Sequence, residues 1–288
     1  MSDTPKVLDF LLVAFPKALS GFGTIAMNLF LLRALGAEQF GVVSICIASV
    51  LLVDAIAGSA IDLSVMKLAP SSRADDPEAC KAIQRSALYL KVAGGIVVTA
   101  PLILAGRWFS LALFRTEAYA AVLLASALAA IFLLILRSAQ AQMQIESDYR
   151  LYGLSELLSA ALRFGGIAFM IVNARATPFS VMACIAAAPL ALVTLWLALG
   201  ARGLLSPLSL DWHWTRRLSG HLGWSLLTFG MGAIISRLDL FVLARWAGLA
   251  EVGVYSAALT LAMMAQLAGT YLAVVTNPRV GPMIKKGR

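Results

Sequence analysis

The chain has 288 residues, of which 60% are apolar and 13% charged, and its mean hydropathy is +0.86. A soluble domain carries roughly 25% charged residues, so this composition excludes an ordinary soluble enzyme and indicates a membrane protein with several spans. The formal net charge of +8 does not point to nucleic acid, because Lys and Arg lie in short segments between apolar runs, where they act as topology determinants.

A spanning helix needs roughly 20 mostly apolar residues. In chain order the candidates are 8–32, 40–62, 87–106, 118–137, 154–173, 179–200, 222–243 and 252–274. No stretch offers strand alternation with turn signals, so the fold class is all-α, a polytopic helix bundle of about eight spans, and not a barrel. The first run holds Lys17 and lacks a small-residue cleavage site at its end, which argues against a cleaved leader. The most charged segment, 67–85, reads as a solvated loop, and its "ADD" at 74–76 as a charge run and not a metal site. Residues 138–150, "SAQAQMQIESDYR", are polar but helix-compatible and are expected to continue the fourth helix beyond the bilayer. Residues 203–221 carry two Trp, two Arg and two His and read as a linker at the headgroup level.

Enzyme chemistry finds no support. Cys46, Cys80 and Cys184 are scattered, with no CxxC or Cys/His cluster, so neither a disulfide framework nor a metal site is indicated. The chain has no GxxxxGK[ST], HExxH or GxSxG, motifs that would carry nucleotide binding or hydrolysis. The expectation is no catalytic residue, no metal and no cofactor.

Lys and Arg give a direction. With a cytoplasmic N-terminus, the cytoplasmic segments hold fourteen of the 23 cations, the opposite side five and the spans four. That bias predicts both termini in the cytoplasm, and it agrees with an even number of spans.

Residues 35–44, "LGAEQFGVVS", recur in altered form at 247–256, "AGLAEVGVYS". An offset of 212 pairs Leu31 with Leu243, Arg33 with Arg245, Gly36 with Gly248, Gly41 with Gly253, Val42 with Val254 and Ser44 with Ser256. Six spans separate the copies, which predicts a parallel repeat of six-helix units. The expected organisation is a first six-helix bundle over 1–202, an interfacial linker over 203–221, and the first two helices of a second bundle over 222–288. On that reading the later helices of the second unit are missing from the chain.

Polar residues within the spans are the candidate site. A charge at the bilayer centre costs about 2.5–3.5 kcal/mol on insertion scales, so each asks for a partner or a wet cavity. Lys17, Gly21, Thr24 and Asn28 form one stripe on the first helix, and Asp54, Gly58 and Asp62 one on the second. Tyr152, Glu156, Ser159 and Arg163 share a face of the fifth, and Ser225, Thr228, Gly232, Ser236 and Asp239 a side of the seventh. Arg237 lies about a quarter-turn away on that helix, and Gln266 and Thr270 are on the eighth. The pathway candidates are Lys17, Asn28, Asp54, Glu156, Arg163, Arg237, Asp239 and Gln266. Competing readings remain: small residues on one face also serve close helix packing, Glu156 and Arg163 also fit a structural pair, Lys91 fits a snorkelling cation, and Asp62 fits a wet interface.

The run "LLRALGAEQFGVVSICIASVLLVDAIAGSAIDLSV" resembles the opening helix pair of bacterial polysaccharide flippases, the O-antigen and exopolysaccharide translocases, and "ISRLDLFVLARWAGLAEVGVYSAALTLA" resembles their seventh and eighth helices. That family belongs to a superfamily with multidrug/toxin extruders and has two six-helix bundles around a central cavity. The resemblance implies export of a polyprenyl-pyrophosphate-linked glycan across the bacterial cytoplasmic membrane for surface polysaccharides such as lipopolysaccharide. Its partners would be that lipid-linked glycan, the bilayer and a chain completing the second bundle, with no nucleic acid. Lys17, Arg237 and Arg163 would contact the anionic headgroup, with Asp54 and Asp239 as candidates for ion coupling. The alternatives are a cation-coupled multidrug extruder, or an inactive or non-transporting membrane subunit.

Overall fold

The computed structural model describes residues 7–65, 77–198 and 212–262. Among them there is no strand, as a bilayer requires: with no water to satisfy backbone N–H and C=O groups, each segment bonds to itself as a helix. Six helical stretches are long and apolar enough to cross a membrane, and the first, Leu12–Val65, has 54 residues. At about 1.5 Å per residue this is far longer than one crossing.

The stretch is two helices, α1 (7–35) and α2 (37–65), divided at Gly36, whose φ of 77° and ψ of 167° lie outside the helical region. Asn28 and Val50 line one cavity, and Leu31 packs with Val43, so the chain doubles back at Gly36 into a hairpin. Then follow α3 (Pro77–Leu104), α4 (Gly106–Phe114), α5 (Ala120–Ile145), α6 (Tyr149–Val172), α7 (Pro178–Ala198), α8 (Trp212–Ile235) and α9 (Leu238–Trp246). The last described helix is α10 (Leu249–Ala262).

Local chemistry sets several ends. The Asp148 side chain accepts from Leu151 N at 3.0 Å and caps α6. Thr177 and Ser180 exchange hydrogen bonds across the first turn of α7, where Pro178 supplies a fixed φ and needs no donor. Arg115 closes α4 in the left-handed region, with its N–H on Leu111 O.

α5 is the centre of the first bundle, packed on α3, α7 and the α1–α2 hairpin, while α6 covers α1 and α7. Leu134 of α5 is fully buried between two glycines. A Cβ on Gly95 of α3 or Gly58 of α2 would stand 2.5 or 2.9 Å from its methyl carbons. Lipid tails are as apolar as Leu, so such close packing, and not water exclusion, drives helix association here.

A helix lies in each of the eight expected spans, with four differences. The described part of the segment read as a solvated loop, 77–85, is the first turns of α3, with Cys80 and Ile83 buried against α2 and α8. Residues 107–117 are no plain loop, since α4 occupies most of them. Residues 212–221, read as interfacial linker, are the first turns of α8, where Trp214, Leu218 and Leu222 pack against Ile61, Ile83 and Ile145. The expected single helix 222–243 is broken by a turn at Ser236–Arg237. α5 runs on to Ile145, as the helix-compatible character of 138–150 predicts. Most of the charged loop, residues 203–211, and the end of the last expected span, with Gln266 and Thr270, lie outside the described residues.

The sequence repeat recurs as backbone geometry. Gly248, at φ 115°, separates α9 from α10 as Gly36 separates α1 from α2, and both angles are ones glycine adopts without steric cost. The second helices of the two hairpins then cross each other. A Cβ on Gly41 would overlap the carbonyl oxygen of Leu249, and a Cβ on Gly253 would overlap that of Ala37. Offset by 212 residues, Gly41 corresponds to Gly253 and Ala37 to Leu249, so each contact is the image of the other.

Because the obstructing atoms are backbone, no rotamer change relieves a side chain at either position. Gly41→Val or Gly253→Val is expected to cost about 3 kcal/mol, the upper part of the overpacking range, and to push α10 off α2. The thermal midpoint in detergent, with protease sensitivity of 236–262, reads both effects. An unchanged midpoint in both variants would show that the helices do not meet this way.

Candidate functional site

Polar groups at membrane depth gather in three places. The first lies between α1 and α6. Lys17 is exposed, and its Nζ stands 5.5 Å from the ring centroid of the buried Tyr152, a cation–π contact. Two turns on, Thr24 and Asn28 continue the same face and line a cavity of about 110 Å³, together with Ser159 and Arg163 of α6. Asn28 Nδ2 donates to Thr260 Oγ1 at 3.3 Å, tying α1 to α10. The expected stripe is therefore real, but it divides: Lys17 lies outside the cavity while Asn28 and Arg163 meet within it.

Glu156 and Arg163 share α6 yet form no ion pair among the described residues. Instead Gln140 Nε2 of α5 donates to Glu156 Oε2 at 3.1 Å and to Ser155 Oγ at 3.3 Å. The Arg163 guanidinium lies over Phe164, 4.8 Å from its centroid. The structural pair considered for these residues is replaced by two separate arrangements.

The second place is α2. Asp54 opens a π-helical turn, Asp54–Ser59, a rare element often found at functional sites. Its carboxylate lies against Gly58, where an added Cβ would stand 2.9 Å from Oδ1. The charges that reach it belong to Arg137, Asp62 and Lys91. Lys91 does not snorkel. It is 1% exposed and ion-paired with Asp62 of α2, because antiparallel α2 and α3 bring the two opposite charges to one depth. Asp62 is accordingly held by a cation and only partly open to solvent.

The third place is the break between α8 and α9. Arg237 occupies it with φ −132° and caps α9 without a side-chain hydrogen bond. Asp239 Oδ2 accepts from Tyr255 OH at 2.6 Å, and Oδ1 accepts from Leu240 N at 2.8 Å. Asp239 thus fastens α9 to α10. Interrupted helices expose backbone dipoles, and in membrane proteins irregular backbone is tolerated where protein or a wet cavity covers it. The expected continuous face from Ser225 to Asp239 ends at this turn.

Sequence reasoning missed Gln140, Phe164, Tyr255 and Thr260. Gln140 lies in the polar extension of α5, and Thr260 follows the repeated segment by one helical turn, at Ser256 plus four. Both signals were legible only as composition. Among the described residues no group of three metal-ligating side chains exists.

A family model described as polysaccharide biosynthesis protein matches residues 17–283. No curated protein and no solved structure matches the chain.

Removing one partner of a buried ion pair leaves the other charge uncompensated, at a cost of about 3 kcal/mol, whereas replacing both with apolar groups is near neutral. Lys91→Met alone is expected to lower the thermal midpoint strongly. Lys91→Met with Asp62→Leu is expected to recover most of it. A single variant as stable as the parent would mean the pair carries no such role.

Proposed function

We propose a transport function from one premise: the chain belongs to the polysaccharide biosynthesis protein family, whose model spans all but its two ends. It is a multi-pass membrane protein. On our reading it is a carrier and not an enzyme, a flippase that moves a lipid-linked oligosaccharide across the bacterial cytoplasmic membrane, with both termini in the cytoplasm. The sugar and pyrophosphate pass through the protein while the lipid chain stays in the bilayer.

One observation carries the choice of an anionic substrate. Lys17, Arg163 and Arg237 stand in helices or at a helix break, and none has a carboxylate partner among the described residues. The acids nearby are committed otherwise: Glu156 to Gln140, Asp239 to Tyr255, and Asp62 to Lys91. Cations left without counter-charge at membrane depth favour a ligand that brings its own negative charge. Asp54 is the exception, an acid in no ion pair among the described residues; a cation-extruding protein would need such acids to prevail and the bases to be neutralised.

The direction is favourable as well. Each negative charge moved outward against an inside-negative potential gains about 2.3 kcal/mol per 100 mV. Positive groups lower the barrier by replacing part of the pyrophosphate's hydration.

Loss of the gene is expected to leave the lipid-linked repeat unit on the cytoplasmic face and to deplete surface polysaccharide. A charge-assisted hydrogen bond contributes about 1.5–3 kcal/mol, so Lys17→Ala and Arg237→Ala are each expected to cut export about tenfold with membrane insertion intact. Normal surface polysaccharide in a clean deletion would refute the proposal. Altered resistance to cationic dyes in that strain would favour a drug extruder.

A further inference from the structure

Among the described residues, α9 is jointed at both ends. Before it the turn at Ser236–Arg237 interrupts the helix, and after it Gly248 takes a φ of 115°. Large conformational changes are absorbed at a few such element-terminal residues. The equivalent point of α1, near Ile25, is unbroken helix. The packing of such a hairpin therefore does not itself require the break.

α9 is held on one face. Leu240 and Ala244 are buried in the core that includes Val42 and Phe114, while Leu238, Val242 and Trp246, spaced by four, are exposed. Beyond this apolar contact, a side-chain hydrogen bond fastens each end. At the start, Asp239 Oδ2 accepts from Tyr255 OH of α10. At the finish, the guanidinium of Arg115 donates to Arg245 O at 2.9 Å and ties α9 to the end of α4.

Arg115 is an unexpected residue for its backbone. It closes α4 at φ 59°, a left-handed position that favours glycine. Its side chain supplies the reason. The last carbonyls of a helix lack partners within it. Leu243 O takes the N–H groups of Ala247 and Gly248, and Arg245 O takes Arg115, a cation at the negative end of the α9 dipole. The turn that aims Arg115 is itself fixed, since Ser110 Oγ donates to Thr116 O at 2.6 Å and Phe114 meets Tyr119 edge to face. A residue that only ended α4 would serve better as glycine.

We propose that α9 is a hinged lid, latched to the first bundle by Arg115 and to α10 by Tyr255, which swings from α4 while α10 stays on α2. The reciprocal glycine contact holds α10 backbone to backbone. α9 is held by side chains on one face and by two exposed hydrogen bonds, so it is the part that lets go first. The lid rests on this geometry. Its use rests on the transport reading, in which it opens a path between α4 and α9 at the end of the bundle marked by Gly36 and Gly248.

The test uses the full chain in phosphatidylcholine nanodiscs, with the three cysteines replaced by alanine and spin labels on Leu111→Cys and Val242→Cys. A second pair, Leu111→Cys with Val254→Cys, follows α10. Distances are read by double electron–electron resonance. Arg115→Gly keeps the left-handed cap of α4 and removes only the guanidinium, so the bundle is expected to fold. It is expected to raise the longer-distance population of the 111–242 pair about threefold or more, the weight of one hydrogen bond, with the 111–254 pair unchanged. Tyr255→Phe is expected to act in the same direction from the other end, and Arg115→Lys, which keeps a donor, to act less. An unchanged 111–242 distribution in Arg115→Gly or in Tyr255→Phe would overturn the lid. So would a matching shift in the 111–254 pair, since the hairpin would then move as one body. Release of α9 in Arg115→Gly together with normal surface polysaccharide in a clean deletion would sink the transport reading and spare the lid. An export defect in the deletion with unchanged distances would do the opposite.

Discussion

The crossing of α2 and α10 is the contact on which the rest of the arrangement depends. Gly41 and Gly253 remove the side chains that would hold the two helices apart, and each backbone then rests on the carbonyl of the other's first turn. Without a hydrophobic drive inside lipid, such close approach is a main source of helix affinity. Its reciprocity follows from the repeat, because equivalent residues in two copies meet as two-fold partners do at an isologous interface. Once α10 is fixed there, Thr260 reaches Asn28, Tyr255 reaches Asp239, and Leu240 and Ala244 of α9 join the core around Val42 and Phe114.

Within the first bundle, with Lys17 set apart on α1, three acids face three cations and their pairing is incomplete. Asp54, Asp62 and Glu156 face Lys91, Arg137 and Arg163 across α2, α3, α5 and α6. Only Lys91 and Asp62 are joined as an ion pair. Balanced charge keeps the insertion cost tolerable, and incomplete pairing leaves groups such as Arg163 able to exchange partners. A fully paired set would be a more stable bundle with nothing to offer a ligand.

Much of this was legible in the sequence, because hydropathy reports lipid contact directly. The spans, the hairpin at Gly36 and the echo at Gly248 follow from apolar runs and from glycine at positions that need positive φ. The echo did not say that its two copies touch, since a repeat fixes equivalence and not contact. The break at Ser236–Arg237 was hidden because neither residue is Gly or Pro, and hydropathy does not register a turn inside an apolar run. From sequence Lys91 reads as a snorkelling cation, because one sequence gives its distance from a helix end, while its fate depends on Asp62 at the same depth in another helix. Of the candidate site, residue identity was legible and mutual placement was not: Asn28 and Arg163 share a cavity, whereas Lys17, Asp54 and Arg237 each stand elsewhere.

The break also makes the two hairpins unequal, and on the proposed transport reading that inequality has a functional sense. α1 passes its equivalent position, near Ile25, as unbroken helix, while α9 begins anew after Arg237. A carrier of exact repeats would present the same surface from both units and bind a symmetric ligand best. A lipid-linked glycan is asymmetric, with an apolar chain, a charged neck and a polar head. The first unit has a largely apolar cavity with the half-buried Arg163 in its wall, and the second has a half-buried cation at an interrupted helix. On the proposed transport reading, divergence of the two copies around a shared crossing would let one scaffold hold chemically different parts of one molecule.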